Sequence, residues 1–238
     1  MSLVIITGVG RAGQVGEALA WRFATDGHRL VLLDRDGDAA EARAGELRTQ
    51  GHHAVAHAVD LTSGAALAEV AARVAADAPE GATALVAAAG GFTAAGAVGD
   101  TGGDVLGRML AVNLVTAYEA TRAFLPLLRT ARGAVLYFTS PAALPGASGA
   151  GMAAYAAAKA GVLSLMRAVA AEEAVHGVRA NAVAPAAIRT AANVAAMGTG
   201  AGYVERDTVA RVASWLCSPL ADGVTGQVVE LVPPPAEG

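Results

Sequence analysis

Short apolar runs alternate with longer amphipathic stretches along the whole chain. The apolar runs are continuous rather than alternating, which is typical of strands buried on both faces of a parallel sheet. They predict strands at 3–7, 29–33, 54–59, 84–88, 134–139, 178–183 and 227–231. The amphipathic, alanine-rich stretches predict helices at 14–26, 37–50, 64–77, 102–130, 152–176 and 207–217.

This order of elements predicts an α/β fold. Repeated strand–helix alternation implies right-handed crossovers and a doubly wound parallel sheet with helices on both faces. No linker, repeat or charge block divides the chain, so we expect one domain over 1–238. The short, Gly- and Ala-rich segment at about 190–206 is expected to form a mobile or open lid over the substrate. We expect Pro233-Pro234-Pro235 to form a frayed terminus.

Composition narrows the possible functions. Hydrophobic residues make up 54% and charged residues 16% of the chain, which suits a large buried core. A net charge of −4 gives no electrostatic case for nucleic acid or an anionic membrane. No membrane-span or signal-peptide pattern is visible. The single cysteine, Cys217, favours a reducing cytoplasm, and the five histidines lack metal-ligand spacing, so we expect no metal.

A glycine-rich segment follows the first predicted strand. Thr7-Gly8-Val9-Gly10-Arg11-Ala12-Gly13-Gln14-Val15-Gly16 connects that strand to the first predicted helix. Such a turn needs residues that accept positive φ, and its N–H groups with the helix N-terminus favour a pyrophosphate. A tight turn without a ligand is the alternative for a glycine motif taken alone. The candidate cofactor-binding residues here are Gly8, Gly10, Arg11, Gly13, Gln14 and Val15.

Acidic residues follow the second and third predicted strands. Asp34 lies where a carboxylate can accept hydrogen bonds from a ribose 2′-hydroxyl and repel a 2′-phosphate. Arg35 and Arg11 act the other way, because either can pair with a phosphate, so NAD is favoured only slightly over NADP. A solvated loop acid or a helix cap is the alternative for Asp34. Asp60, which precedes Leu61, is placed either to hydrogen-bond an adenine amino group or to cap the next helix.

Tyr155 and Lys159 are the main candidates for catalysis. Residues four apart share one face of a helix, so the phenol and the ammonium can share a site. Transfer of a hydride to a carbonyl carbon requires a proton at the oxygen, and a free tyrosine is a poor base at neutral pH. We expect the ammonium to lower the pKa of Tyr155 towards the range of a general acid/base. Lys159 is the only lysine in the chain, although a short motif can arise by coincidence.

Two further polar residues complete the catalytic candidates. Ser140 follows the fifth predicted strand and can hydrogen-bond the substrate oxygen, with a simple turn residue as the alternative. Asn113, which we place at the start of another helix, can hold a water that links Lys159 to solvent. A helix cap is the alternative for Asn113. The joint arrangement is far less common than any one of its members.

These motifs resemble the short-chain dehydrogenase/reductase family over essentially the whole chain. The specific part of the resemblance is Tyr155-x-x-x-Lys159 after a serine-bearing strand, together with the glycine loop after Thr7-Gly8. The other matching segments are Asp60-Leu61-Thr62, Ala89-Gly90, Asn113, Ser140, and Asn181-Ala182-Val183-Ala184-Pro185 running to Ile188 and Thr190.

The resemblance implies a Rossmann-type fold and a nicotinamide cofactor. The sheet would have seven parallel strands in the order 3-2-1-4-5-6-7. Tyr155 would be the general acid/base, and Lys159 would also bind the nicotinamide ribose. Ile188 and Thr190 would contact the carboxamide end of the cofactor.

The resemblance also extends the cofactor site and implies an assembly. Ala89 and Gly90 after the fourth strand, and Pro185 after the sixth, would border the cofactor. Family members are usually homodimers or homotetramers, with the long helices at about 102–130 and 152–176 forming one interface.

Three features depart from the family pattern. The glycine loop is about two residues longer than the usual Thr-Gly-x-x-x-Gly-x-Gly form. Ala87-Ala88-Ala89-Gly90 replaces the usual Asn-Asn-Ala-Gly and so loses two amides. The segment between Ser140 and Tyr155 is two residues longer than usual.

We therefore predict an NAD(P)-dependent oxidoreductase that acts on a small carbonyl or secondary alcohol. A non-catalytic NAD(P)-binding sensor or partner subunit is the alternative, because of the altered Asn-Asn-Ala-Gly segment and the short lid. An epimerase or dehydratase that uses the same tyrosine and lysine is a third hypothesis, motivated by the spacing of Gly10, Gly13 and Gly16.

Overall fold

The computed structural model describes residues 1–234 and contains one seven-stranded sheet. All strand pairs are parallel, and the order is β3-β2-β1-β4-β5-β6-β7, which confirms the predicted fold class. Pro235 of the expected frayed terminus lies outside the described residues. The strands are β1 (Leu3–Thr7), β2 (Arg29–Asp34), β3 (Ala54–Ala58), β4 (Ala84–Ala87), β5 (Ala134–Phe138), β6 (Arg179–Pro185) and β7 (Val228–Leu231).

Helices cover both faces of the sheet and lie close to the predicted ranges. Within the described residues, six α-helices have 11 residues or more and correspond to the six predicted ranges, and two are shorter. They are α1 (Val15–Thr25), α2 (Gly37–Thr49), α3 (Gly64–Asp77), α4 (Val105–Met109), α5 (Thr116–Ala131), α6 (Ala153–Glu172), α7 (Ala191–Met197) and α8 (Arg206–Cys217).

Two hydrophobic layers explain why the strand runs are apolar throughout. Leu3 and Ile5 of β1 point into one layer, which also contains residues of α3, α5 and α6. Val4 and Ile6 point into the other layer, with residues of α1, α2 and α8. Alternate strand residues face opposite sides of a sheet, so a sheet covered on both sides needs apolar residues at every position.

The structure departs from the predicted helices in two places. The long helix expected at 102–130 begins at Val105 and contains a π-helical turn, Leu110–Val115, between α4 and α5. Asn113 therefore lies inside the helical segment, not at its start. The second difference is α7 in the lid segment, a short helix capped by Thr190 that the sequence pattern did not predict. Within residues 1–234, no helix is long and apolar enough to cross a membrane.

Candidate active site

The candidate site lies at the carboxyl edge of the sheet, where parallel strands end together. The glycine loop follows β1, Ala89 and Gly90 follow β4, and Ser140 follows β5. Open α/β sheets bind ligands in the crevice at this edge, beside the strand at which the winding order reverses. Here that strand is β1, which lies between β2 and β4.

Two glycines of the loop are required by close backbone approach. Gly8 has φ +76°, and a Cβ there would lie 2.7 Å from the Cα of Ala89. A Cβ at Gly16 would lie 2.1 Å from the carbonyl oxygen of Gly8. The loop therefore packs directly against the end of β4 and against the first turn of α1, and any larger residue at either position would push these segments apart.

Asp34 braces the glycine loop. Its carboxylate accepts a hydrogen bond of 2.9 Å from the Gly10 N–H and one of 3.1 Å from the Asp36 N–H. Asp36, rather than Asp34, caps α2 by accepting from the Ala39 N–H. Neither alternative considered for Asp34 is therefore correct, since the residue joins the end of β2 to the loop.

The N-terminus of α1 fits an anionic ligand. Among the residues described, no side chain caps this helix: the preceding Gln14 makes no capping hydrogen bond, whereas Ser63 caps α3 with its hydroxyl. An uncapped N-terminus leaves backbone N–H groups and the positive end of the helix dipole for a ligand such as a pyrophosphate. Arg11 is exposed beside it.

Glu17 is a site residue that sequence reasoning missed. Its carboxylate accepts a hydrogen bond of 2.7 Å from the Gly13 N–H and one of 2.8 Å from Arg206 at the start of α8, and it pairs with the buried Arg43 of α2 at 3.0 Å. Its position three residues after Gln14 is where a capping-box acid is expected, and this was the available signal. Glu17 thus ties the glycine loop to both neighbouring helices.

The residues after β3 form a turn that Asp60 stabilises. Asp60 accepts hydrogen bonds from the N–H and the hydroxyl of Thr62, at 2.9 and 2.7 Å, and these bonds lower its pKa. It does not cap α3, because Ser63 does. The side chain of Leu61 is buried in the core, so only its backbone is left for a cofactor. Arg35 is exposed and close enough to Asp60 to lower that pKa further.

Asn113 holds the segment after β4 in place. Its side-chain amide donates to the carbonyl oxygens of Gly91 and Met109, at 3.0 and 3.1 Å, and its side-chain oxygen accepts from the Gly91 N–H at 3.2 Å. The residue is buried in the π-helical turn. The capping alternative is therefore wrong, because the side chain holds the backbone of Gly91, and the water-holding role stays a prediction. A Cβ at the exposed Gly90 would lie 2.9 Å from the Asn113 side-chain oxygen, so any larger residue at position 90 would displace the Asn113 side chain.

Lys159 is buried behind the catalytic edge. Only 6% of its surface is exposed, and its Nζ donates a hydrogen bond of 2.8 Å to the carbonyl oxygen of Phe138. Burial lowers the pKa of Lys159 to about 8, because desolvation disfavours the ammonium. Nζ also lies 3.4 Å from the position of a Cβ at Gly90, so the ammonium borders the same space as Asn113.

Tyr155 lies on the same face of α6, one turn before Lys159. The Lys159 Nζ is 5.9 Å from the centre of the Tyr155 ring. Burial raises the pKa of Tyr155, and a hydrogen bond with the Ser140 hydroxyl acts in the opposite direction. The expected lowering by the ammonium is thus wrong for the protein alone, because the ammonium is directed to the Phe138 carbonyl and desolvation dominates. Ser140 also accepts a hydrogen bond of 3.3 Å from the Ala142 N–H, as a turn residue does.

Phe92 is the second site residue that the sequence analysis missed. Its ring stands edge-on to Tyr155, with the ring centres 5.0 Å apart and the planes at 84°, and 58% of its surface is exposed. An aromatic residue directly after Gly90-Gly91 was the available signal.

The lid segment contacts the glycine loop. The Ala191 N–H donates a hydrogen bond of 3.1 Å to the carbonyl oxygen of Gly13. Thr190 is buried and caps α7, and Ile188 accepts a hydrogen bond of 2.8 Å from Asn193. Pro185 ends β6 just before this segment. Residues 185–191 therefore run from the sheet edge to the loop.

The family follows from comparison with known proteins. Residues 2–198 match the family model described as short chain dehydrogenase. The chain belongs to the short-chain dehydrogenase/reductase family. This membership supports an oxidoreductase with a nicotinamide cofactor and a small-molecule substrate. The family fold is also the one observed, with the strand order that the family resemblance implied.

Curated relatives include two dehydrogenases and one protein named inactive. The chain is 34% identical to 2-(S)-hydroxypropyl-CoM dehydrogenase 3 of Xanthobacter autotrophicus, over 78% of this chain and 71% of that one. It is 36% identical to galactitol 2-dehydrogenase of Rhizobium johnstonii, with the same coverage of 78% and 71%. It is 37% identical to inactive 2-(S)-hydroxypropyl-CoM dehydrogenase 2 of X. autotrophicus, over 68% of each chain.

Solved structures agree with the fold. A putative short-chain dehydrogenase/reductase from Burkholderia xenovorans superposes with a TM-score of 0.85 at 27% identity, covering 97% of this chain and 94% of that one. An NAD+-bound xylitol dehydrogenase superposes with a TM-score of 0.86, covering 98% of each chain, but at 23% identity it supports the fold alone.

Proposed function

We propose that the protein transfers a hydride between a nicotinamide cofactor and a carbonyl or secondary alcohol, with Tyr155 as the general acid/base. The observation that carries this proposal is the convergence of Tyr155, Ser140 and Lys159 at the sheet edge beside the glycine loop. The nicotinamide would supply the hydride in reduction and accept it in oxidation.

The side chains handle the proton and the developing charge. In reduction, the Tyr155 hydroxyl donates its proton to the carbonyl oxygen as the hydride reaches the carbon. The Ser140 hydroxyl donates a hydrogen bond to the same oxygen and stabilises its negative charge. Lys159, as a cation, stabilises the phenolate that remains on Tyr155. In oxidation the same groups act in reverse, and Tyr155 takes the proton from the alcohol.

The cofactor would lie along the carboxyl edge of the sheet. The loop residues Gly8 to Val15 and the N-terminus of α1 would hold the pyrophosphate. Thr190, Ile188 and Pro185 would face the carboxamide end, and Lys159 the nicotinamide ribose.

NAD and NADP differ at the adenosine ribose, so the residues near that ribose would determine which cofactor binds. Asp34 supports NAD, because a carboxylate at the end of β2 would accept a hydrogen bond from a ribose 2′-hydroxyl and would repel a 2′-phosphate. The exposed Arg35 and Arg11 support the phosphate-bearing NADP. The backbone of Ala89 and Gly90 would border the ribose on the other side, and Asp60 and Leu61 the adenine.

Cofactor titration followed by a carbonyl and alcohol screen tests this function. Quenching of protein fluorescence by NADH and NADPH measures the affinity of each, and we expect the tighter binding for NADH. Absorbance at the reduced-nicotinamide band then follows the turnover of ketones and alcohols with the preferred cofactor. Failure of both cofactors to bind would overturn the proposal.

A non-catalytic nucleotide-binding protein is the second candidate. The observation that favours it is the relative named inactive, together with the alanines that replace Asn-Asn before Ala89-Gly90. Cofactor binding without turnover of any carbonyl or alcohol in the screen would support this candidate over the enzyme.

We also propose a homodimer or homotetramer that packs through α5 and α6. Leu106 at the start of this helical region and Tyr118 on α5 are exposed apolar side chains, with exposed fractions of 48% and 50%. Ala157 and Ala160 are exposed on α6. Light scattering coupled to gel filtration measures the assembly, and replacing Tyr118 by Glu is expected to shift it towards monomer.

A further inference from the structure

Three segments at the mouth of the site carry no charged side chain. Residues 91–99 follow β4, residues 140–154 connect β5 to α6, and residues 190–204 connect β6 to α8. None of them contains Asp, Glu, Lys, Arg or His, in a chain of which 16% is charged. Arg189 and Glu205, the charged residues next to the third segment, form a salt bridge with each other, with Nε and Oε1 2.7 Å apart.

The first two segments meet beside Tyr155, where Ala95 and Ala154 pack in the same cluster as its ring, and the third follows a strand at the same edge of the sheet. The N–H groups of Ala95 and Gly96 donate to the carbonyl oxygen of Gly151, at 3.0 and 3.2 Å, which joins the first segment to the second. The third segment follows β6 at the same edge of the sheet and contacts the glycine loop through Ala191. On the proposed function, a substrate bound at Tyr155 would therefore be bordered by these uncharged segments.

Several polar side chains of these segments are bonded to nearby backbone groups. Ser148 accepts from the Ala150 N–H at 3.2 Å, and Asn193 donates to the Ile188 carbonyl at 2.8 Å. The Tyr203 hydroxyl donates to the Gly198 carbonyl at 2.5 Å. These groups hold the segments in shape and are engaged before any substrate arrives.

Phe92 supplies the apolar contact surface. Its exposed ring stands edge-on to Tyr155, so with a substrate oxygen at the Tyr155 hydroxyl the ring would be available to contact the group next to the reacting carbon. An exposed aromatic ring packs well against another apolar or aromatic group. On the lid, Met197 is exposed to a similar extent, at 55%.

We propose that the substrate is an uncharged, predominantly apolar ketone or secondary alcohol, and that Phe92 selects it by packing against the group next to the reacting carbon. The inference rests on the proposed function. A charged substituent would lose its hydration between the three segments and find no partner of opposite charge. A polyol would leave hydroxyl groups without hydrogen-bond partners.

Two matched comparisons test the substrate class. In reduction, 4-methylacetophenone and 4-acetylbenzoate differ in one substituent, which is uncharged in the first and anionic in the second. In oxidation, 1-(4-methylphenyl)ethanol is compared with galactitol. We expect kcat/KM to be at least about 10-fold higher for the apolar member of each pair, the discrimination that a hydrophobic pocket supplies. Equal or better turnover of 4-acetylbenzoate or galactitol overturns the inference.

A pair of variants tests the role of Phe92. Phe92→Ala is expected to lower the ratio of kcat/KM for 4-methylacetophenone to that for acetone by about 10-fold, mainly through KM. Phe92→Leu is expected to restore most of that ratio, and Leu220→Ala, at an exposed position after α8, to leave it unchanged. Equal losses for both ketones in Phe92→Ala would indicate a merely structural role and overturn the assignment.

The outcomes separate this inference from the function on which it rests. Turnover confined to charged substrates or polyols would overturn the substrate class and leave the hydride-transfer function standing. Cofactor binding without turnover of any member of the panel would overturn both.

Discussion

The Lys159 ammonium donates a hydrogen bond of 2.8 Å to the carbonyl oxygen of Phe138, the last residue of β5. This contact holds the ammonium against the end of β5, 5.9 Å from the centre of the Tyr155 ring. Burial of the cation lowers its pKa to about 8 from an ordinary value of 10.5. The fold therefore holds a charged group at a site that disfavours the charge.

The lowered pKa of Lys159 predicts how stability depends on pH. Because the pKa of Lys159 is lower in the folded protein, the unfolded state binds the proton more tightly. The resulting loss of folding free energy is fully present below pH 8 and declines as the pH rises towards 10.5. Lys159→Met, which removes the charge, should gain stability relative to wild type at pH 7, on the order of 1–3 kcal/mol. That advantage should shrink at pH 9.5. Urea unfolding at both pH values measures it, and an advantage that grows with pH would contradict the reasoning.

Tyr155→Phe tests the acid/base role directly. The substitution removes only the hydroxyl, so kcat should fall by about 10²–10⁴-fold, the usual contribution of a general acid or base. The affinity for NADH should change little, since the ring and the fold are kept. Tyr118→Phe is the matched control, because it removes the same hydroxyl from a half-exposed tyrosine of α5 that contributes to none of the site contacts described above. Full activity in Tyr155→Phe would exclude the mechanism.

Asn113 is predicted to act through the backbone of Gly91. Asn113→Ala would leave the N–H and carbonyl of Gly91 without their partner and should lower the free energy of unfolding by about 1–3 kcal/mol. Because Gly91 lies between Gly90 and Phe92, kcat should fall as well. Asn113→Asp keeps the acceptor for the Gly91 N–H and loses the two donated bonds. Chemical denaturation and steady-state kinetics together rank the variants, and Asn113→Ala with wild-type stability would show that the clamp is unimportant.

Glu17 is predicted to couple α8 to the glycine loop. Glu17→Ala removes the acceptor of the Gly13 N–H and the partner of Arg206, so the Kd for NADH should rise and the free energy of unfolding should fall by about 1–3 kcal/mol. Arg43, which is buried, would keep only its pair with Glu46. Glu69→Gln is the control, because Glu69 pairs with Arg73 at the surface with both side chains more than half exposed, and it should change stability by no more than about 1 kcal/mol. Equal effects of the two variants would remove the special role of Glu17.

Asp34 is predicted to set the cofactor preference and to brace the loop at once. Asp34→Asn keeps an oxygen that accepts from the Gly10 N–H and removes the negative charge. The ratio of NADPH to NADH affinity should therefore rise while NADH still binds. Asp34→Ala should weaken both cofactors, because the loop loses its support. If Asp34→Asn left the ratio unchanged, the exposed Arg35 and Arg11 would become the residues that determine the choice.

Much of the architecture was predictable from the chain alone. The continuous apolar runs located all seven strands, because a sheet covered on both faces requires apolar residues at every strand position. The family motifs then fixed the strand order. The π-helical turn around Asn113 and the lid helix α7 could not be predicted, because neither has a distinct periodicity and each depends on contacts with distant segments.

The sequence by itself determined the fold class and which two residues are the candidate catalytic pair, since residues four apart on a helix must share a face. The tertiary structure decided what the surrounding residues do. Asp34 accepts a hydrogen bond from the glycine loop, and Asn113 binds the backbone of Gly91 and does not cap a helix. Burial raises the pKa of the Tyr155 phenol. Each of these depends on which groups from distant parts of the chain contact one another and on how much water those contacts exclude. Neither can be inferred from the spacing of residues along a short stretch of sequence.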